Sequence, residues 1–179
     1  FHISDNPRVN ATHHDACARA VDADLVTRLA ALGIVQRFCT GPQGRELVAQ
    51  APPPPTPFLP IFLSDPAVLR RAERVVVVVG ESSNEPAIWS WRVMAEGDEE
   101  AGLVAGTALG LVHRLRARPD PPALVILNSA QLLYSPTHHR ACTHRAWLAL
   151  PKPHVLAPVP HIHPTHNRIP GHADLPAHL

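Results

Sequence analysis

The sequence predicts an α/β fold with parallel central strands and crossover helices. Three observations lead to this fold class: two short apolar runs with the character of buried strands, and a helical pattern between them. The first run is the five-valine segment 75–79, which ends at Gly80, and the second is the segment 123–127. Unbroken apolar strands are typical of parallel sheets that helices cover on both faces. We therefore expect these two strands to lie side by side, parallel and buried on both faces.

The region before these strands shows one clear element. Residues 1–14 are polar and have no period, so they are interpreted as a loose lead-in. Asp22 can cap a helix that runs to about Leu32. The proline-rich stretch 41–60 favours a loop, either a stiff linker or a ligand for another domain. Residues 1–63 are therefore predicted to be a poorly defined N-terminal region with one helix and a proline-rich linker.

Residues 64–150 are predicted to form the core of the domain, a βαβ unit. Besides the two strands, helical patterns cover residues 66–72, 87–95, 99–117 and 137–149. Residues 151–179 are rich in proline and histidine and predict an irregular tail of the same domain. Two strands do not make a stable parallel sheet by themselves, so the chain is expected to be partial or to depend on a partner.

Composition excludes several classes of protein. Sixteen basic and fifteen acidic side chains leave a net charge of +1, which argues against direct nucleic-acid binding. No apolar run is long enough to span a membrane. Three scattered cysteines are too few for a disulfide framework and favour an intracellular location, nuclear or cytoplasmic. No pattern indicates a cofactor, and a protein partner is expected.

Polar residues follow both predicted strands. Gly80, Glu81 and Ser82 come after the first strand, and Asn128 and Gln131 come after the second. Ligands of open α/β sheets bind at the carboxyl ends of the strands. These five residues are therefore the candidate binding rim, with a ligand-free polar loop as the alternative.

Trp89 and Arg92 are further candidates for this rim. They lie three residues apart, so they share one face if the segment is helical. We expect Trp89 to be largely buried and Arg92 to reach toward the loop at Gly80 or at Asn128. A guanidinium stacked on the indole and a core tryptophan beside a snorkelling arginine are both compatible with this spacing.

Catalytic and metal sites are less well supported. Ser82 or Ser129 could act as a nucleophile beside a histidine, but the chain has no G-x-S-x-G turn, so no catalytic residue is predicted. A serine hydrolase remains the alternative. The histidines of the tail match no catalytic metal motif, and those of segment 138–144 would need a further ligand from elsewhere, so no metal site is predicted; zinc binding by the tail is the alternative. The similar segments 12–17 and 137–142 are treated as a coincidence of composition.

An ordered set of short motifs between residues 70 and 179 resembles a known family. The motifs are Gly80-Glu81-Ser82, Ile88-Trp89, Arg92-Val93, Asn128-x2-Gln131-Leu132, Trp147-x-Ala149-Leu150-Pro151 and Asn167-x-Ile169-Pro170-Gly171-x2-Asp174-x3-His178. This set is similar to fungal proteins with the Argonaute-binding-protein-two-like domain. The resemblance implies a partial three-layer α/β-hydrolase-like sheet that stops before the position of a hydrolase nucleophile. It also implies a non-catalytic protein-interaction module, linked to small-RNA or heterochromatin silencing.

Overall fold

The computed structural model describes residues 3–96, 98–152, 154 and 157–178. The described residues form the helices α1 (Pro7–Ala31), α2 (Pro66–Leu69), α3 (Trp91–Ala95), α4 (Glu99–Gly106), α5 (Ala108–Arg116), α6 (His144–Ala149) and α7 (Leu175–His178). They also form the strands β1 (Ile34–Thr40), β2 (Glu46–Val48), β3 (Leu59–Ser64), β4 (Val75–Val79), β5 (Ala123–Leu127), β6 (Leu133–Ser135) and β7 (Arg140–Cys142). This mixture confirms the α/β class. Within these residues, no helix combines the length and the apolar character that a membrane crossing requires.

Five of the described strands form one mixed sheet in the order β2-β1-β3-β5-β4, and β6 pairs with β7 in a separate ladder. The expected parallel neighbours are confirmed, with Val77 of β4 opposite Val125 of β5. The pairs β1–β2, β1–β3 and β3–β5 are antiparallel. The expectation of parallel central strands is therefore wrong, because the parallel pair lies at one end of the sheet. Residues 1–63, predicted to hold one helix and a linker, supply β1, β2 and most of β3.

Burial of β4 on both faces was also a wrong expectation. Val76 and Val78 pack against the main hydrophobic core, but Val75, Val77 and Val79 are 47%, 56% and 46% exposed. The reason is the place of β4 in the sheet. It is the last strand, and in the described part of the chain no helix covers its second face.

Helix α1 is much longer than the sequence predicted. It begins at Pro7, where the Asn6 side chain accepts a hydrogen bond from the Arg8 amide, so the expected loose lead-in is mostly helical. Leu25 and Leu29 are fully buried near its C-terminal end. Its apolar stripe is clear only in that last part, which is why the pattern revealed only the second half of the helix.

The predicted helix over 99–117 is divided into α4 and α5 at Thr107. The Thr107 hydroxyl accepts a hydrogen bond from the Leu109 amide and thereby caps α5. Gly102 and Gly110 permit close packing against helix backbone. A Cβ atom on Gly102 would lie 2.6 Å from the Met94 carbonyl oxygen of α3. The helix predicted over 137–149 is also not continuous, because residues 140–142 form β7 and only residues 144–149 form a helix, α6.

The core lies mainly between the sheet and the helices α1 and α5. It joins Leu25 and Leu29 of α1 to Val112 of α5, Phe62 of β3 and Ile126 of β5. A second cluster contains Phe58, Leu59, Tyr134, Ala141 and Ile169. The two clusters fix α1 and the hairpin strand β7 beside the edge at which β1 and β5 end.

The tail is irregular over most of its described residues, as predicted. From residue 151 onward, the only described helix is α7. Side chains hold the tail in place: the indole Nε1 of Trp147 donates to the Pro160 carbonyl at 2.7 Å, and the Asn167 amide donates to the Tyr134 carbonyl at 3.2 Å. Residues 153, 155, 156 and 179 of the predicted tail lie outside the described residues.

Candidate functional site

A cavity of about 230 Å³ lies at the end of the sheet where β1 and β5 finish and β3 begins. It is named the carboxyl-edge cavity. This is also the edge at which the parallel strand β4 ends. Ligand sites of open α/β sheets lie at the carboxyl ends of parallel strands, and here the segments after the parallel strands β4 and β5 contribute Glu85 and Gln131. The residues that give the cavity its chemistry are Asp15, Arg19, Asp22, Gln36, Phe38, Phe58, Glu85, Gln131 and Arg140.

One of the acidic residues is already paired. Arg140 donates from Nη2 to Oδ1 of Asp15 at 2.6 Å and from Nη1 to Oδ2 at 3.2 Å. Asp15 is 8% exposed, so this bidentate pair is largely removed from water. Arg19 also approaches Asp15, at 3.3 Å, but its side chain is 67% exposed and its charge is screened by solvent. The pair joins α1 to β7 across the cavity.

Asp22 and Glu85 bring two more carboxylates to the same cavity. Asp22 lies seven residues after Asp15 on α1, and this spacing places both on one helical face. Burial raises the pKa of Asp22 to about 6. Glu85 follows β4, is 5% exposed, and its Oε2 atom has no hydrogen-bond partner in the described structure. Burial also raises the pKa of Glu85; the charges of Asp22 and Asp15 add to the increase, while a backbone hydrogen bond and the charge of Arg145 oppose it.

An aromatic group forms another part of the wall. The rings of Phe38 and Phe58 meet edge to face, with centroids 5.3 Å apart. Behind them, Phe58 packs against Tyr134 and His139. The Tyr134 hydroxyl is hydrogen-bonded to Nδ1 of His139, and His139 Nε2 donates to the Pro52 carbonyl at 2.8 Å. The proline-rich segment is thus held against the aromatic group, which fixes the position of the cavity wall.

Of the predicted rim residues, Gln131 lines the cavity, and Asn128 holds Gln131 in place. Asn128 is fully buried, and its Nδ2 donates to the Pro60 carbonyl and to Oε1 of Gln131, each at 2.9 Å. Its Oδ1 accepts the Gln131 backbone N–H at 3.0 Å. Asn128 therefore acts inside the protein, and not as a contact residue.

Gly80, Glu81 and Ser82 lie beside the cavity and not in its wall. Glu81 and Ser82 are exposed. Ser129, buried after β5, donates its hydroxyl to the carbonyls of Gly80 at 2.6 Å and Glu81 at 3.1 Å. This serine therefore ties the two loops together, and its hydroxyl is bonded to backbone carbonyls where a nucleophile would need a histidine.

The expected arrangement of Trp89 and Arg92 is only partly found. Trp89 is partly buried and packs against the main core. Arg92 does not reach the loops at Gly80 or Asn128, so that expectation is wrong. Its Nε donates to Oε1 of Glu96 at 2.7 Å, and its side chain is 86% exposed. The reason is that α3 begins only at Trp91, so Arg92 sits on the outer face of a short helix.

Several histidines have structural contacts. His163 and His166 stack with ring centroids 4.0 Å apart, and Nε2 of His172 donates to the Gly44 carbonyl at 2.9 Å. Within the described ranges, no group of three or more His, Cys, Asp or Glu side chains is arranged to hold a metal ion. Cys17, Cys39 and Cys142 are free thiols.

Sequence reasoning did not identify Asp15, Asp22, Glu85 or Arg140 as site residues. Asp22 was interpreted as a helix cap, because the part of α1 before it has no clear apolar stripe. The similarity of segments 12–17 and 137–142 could have pointed to two of these residues. Their sequences differ at one position, Asp in the first and Arg in the second, and these two residues form the buried ion pair.

Comparison with known proteins completes this description. No curated protein and no solved structure gives a significant match to the chain. The model of one family, described as the Arb2 domain, matches residues 1–179, which extends the resemblance seen in the motifs to the first 70 residues. This chain therefore belongs to the Arb2 domain family.

Proposed function

We propose that this chain is a non-catalytic protein-binding module that acts in Argonaute-associated silencing, with the carboxyl-edge cavity as its partner site. Family membership supports the silencing role. The cavity supports the binding role, since it combines aromatic walls, side-chain amides and charged groups at the edge where such sheets bind ligands. The exposed residues Glu81 and Ser82 extend this contact surface on one side.

The observation that carries the non-catalytic part is the state of the serines. An acyl hydrolase needs an activated nucleophile, a base within hydrogen-bond reach and donors for the oxyanion. Ser129 is buried and bonded to two carbonyls, and Ser82 is on an exposed loop. The cavity beside them holds the acidic side chains of Asp22 and Glu85. This environment favours recognition of a partner over activation of a hydroxyl.

The remaining features of the proposed function follow from composition. We place the module inside the cell, in the nucleus or the cytoplasm, because its three cysteines are unpaired and its family is one of silencing. The net charge of +1 supports a protein partner and not direct contact with nucleic acid. The function needs no cofactor.

Binding to an Argonaute protein tests this proposal. Gln36→Trp places a large ring in the cavity wall, while Arg37→Trp, the matched control, places the same ring on the opposite face of β1. By biolayer interferometry on immobilised Argonaute, we expect Gln36→Trp to weaken binding by about tenfold or more and Arg37→Trp by less than about threefold. Absence of binding by the unaltered chain, or an equal loss in both variants, would contradict the proposal.

The hydrolase alternative is tested by covalent labelling. A fluorophosphonate probe reacts with activated serines, and we expect no specific labelling of the folded chain. Labelling that disappears in Ser129→Ala or Ser82→Ala would show that this protein is a serine hydrolase and that the non-catalytic proposal is wrong.

A further inference from the structure

We propose that the carboxyl-edge cavity binds a guanidinium group, the side chain of an arginine presented by a partner protein. The assignment of this guanidinium group to a partner protein rests on the proposed function. The guanidinium chemistry rests on the cavity itself. Three features carry it: a buried carboxylate with an unsatisfied oxygen, a second carboxylate beside it, and an aromatic wall.

The unsatisfied oxygen is the strongest of these features. Oε2 of Glu85 is buried and has no hydrogen-bond partner in the described structure, although the residue is only 5% exposed. Buried polar atoms are almost always hydrogen-bonded, and a buried charge needs a partner of opposite sign. Glu85 lines the cavity, so a cation bound there would lie next to this carboxyl group.

The charges of the cavity leave room for one more cation. Asp15 and Arg140 neutralise each other through two hydrogen bonds. Arg19 also lines the cavity, but its side chain is 67% exposed, so its charge is screened by solvent. Asp22 and Glu85 remain, and the pKa of each is raised by burial even though the charge of Arg145 acts in the opposite direction on Glu85. A guest with a permanent positive charge would offset the cost of ionising both carboxylates.

The shape of the wall favours a guanidinium over an ammonium. Phe38 and Phe58 meet at an interplanar angle of 88°, and a planar cation can stack on one ring or the other. Gln36 and Gln131 add side-chain amides at the same cavity, although Oε1 of Gln131 already accepts from Asn128. A guanidinium has five donors in a fixed plane and suits carboxylates, amide oxygens and ring faces together, whereas an ammonium is more strongly hydrated.

The test uses small probes on the full chain. N-acetyl-arginine methylamide represents an arginine within a protein, its citrulline analogue is the neutral control, and agmatine represents a free guanidinium metabolite. In two-dimensional NMR titrations, we expect the arginine probe to shift the amide signals of Phe38, Gln131 and Glu85. The citrulline analogue should bind at least about tenfold more weakly, because it lacks the charge. The lysine analogue should bind more weakly than arginine.

Paired substitutions test the two carboxylates. Asp22→Asn with Glu85→Gln should weaken binding of the arginine probe by about tenfold or more. Asp24→Asn with Glu46→Gln removes the same charge from exposed positions outside the cavity and should change binding by less than about twofold. If the first pair does not fold, Asp22→Asn alone should weaken binding by about threefold or more.

Several results would overturn the inference. They are equal binding of the arginine probe and its citrulline analogue, equal binding by the two paired variants, or signal shifts confined to residues outside the cavity. Lysine binding as tight as arginine would refute the guanidinium assignment, and agmatine binding far tighter than the arginine probe would refute the protein source. Argonaute binding that persists unchanged in Asp22→Asn/Glu85→Gln would refute this inference and leave the proposed function intact.

Discussion

Replacing Asp22 with asparagine should stabilise the folded protein at neutral pH. Asp22 is a partly buried carboxylate on α1 with a pKa raised to about 6 by burial. Its ordinary value is 3.8, which applies to the unfolded chain. Asparagine has nearly the same shape and carries no charge, so Asp22→Asn removes the cost of burying the charge and changes little else.

The sign and size of the effect follow from the two pKa values. Because the folded state binds the proton more tightly, stability decreases as the pH rises from 3.8 to about 6, and the loss is complete above that range. A difference of 2.2, from about 6 and 3.8, corresponds to about 3 kcal/mol at about 1.4 kcal/mol for each pKa unit. The asparagine variant should recover about 2–3 kcal/mol at about pH 7.5 and only about 0.5 kcal/mol near pH 4.

Urea unfolding followed by circular dichroism at the two pH values measures this change. The matched control is Asp24→Asn, two residues further along the same helix, where the side chain is 44% exposed and pairs with Arg28 at 2.8 Å. Loss of an exposed pair changes stability by about 0–1 kcal/mol, so the control should remain close to the unaltered chain at neutral pH. Both variants place asparagine inside α1, so differences in helix propensity cancel.

Two outcomes would refute the reasoning. The first is a gain for Asp22→Asn that is the same near pH 4 as at neutral pH, because a packing effect would not depend on ionisation. The second is a loss of stability at neutral pH, which would mean that the Asp22 charge is balanced within the folded chain. The latter result would also remove one of the two carboxylates from the proposed arginine site.

Four further substitutions test the packing of the fold. Asp15→Ala should destabilise the protein by about 3–5 kcal/mol in urea unfolding, because it leaves the Arg140 charge without its buried partner. Val78→Ala should cost about 1–3 kcal/mol and Val77→Ala less than about 1 kcal/mol, since Val78 packs on the core and Val77 is exposed. Trp147→Phe should cost about 1–3 kcal/mol by thermal unfolding, because it removes the indole hydrogen bond that holds the tail.

Each of these expectations can fail in a specific way. An Asp15→Ala variant as stable as the unaltered chain would mean that Arg140 finds another partner or solvent. Equal costs for the two valine substitutions would mean that both faces of β4 are covered in solution. No change for Trp147→Phe would show that the tail does not depend on the indole hydrogen bond.

The sequence alone determined the two strands with unbroken apolar runs, their parallel pairing and the irregular tail. It also pointed to the right family through the order of short motifs from residue 80 onward. These features are local, since a run of five valines or a series of prolines restricts the backbone whatever surrounds it. The polar turn at Asn128 and Gln131 was predicted for the same reason, because it follows directly from the end of a strand.

Tertiary structure decided the rest, because those features depend on contacts between distant segments. Strands β1 and β3 have a mixed pattern of side chains, and Pro60 interrupts the second, so only their antiparallel pairing identifies them as strands. Asp15 and Arg140 are 125 residues apart in the chain, and Asp22 and Glu85 line one cavity only in the folded structure. Burial gives these carboxylates their raised pKa values, and burial is a property of the assembled fold. The candidate site is therefore a product of the packing of α1 against the sheet, which local sequence patterns do not specify.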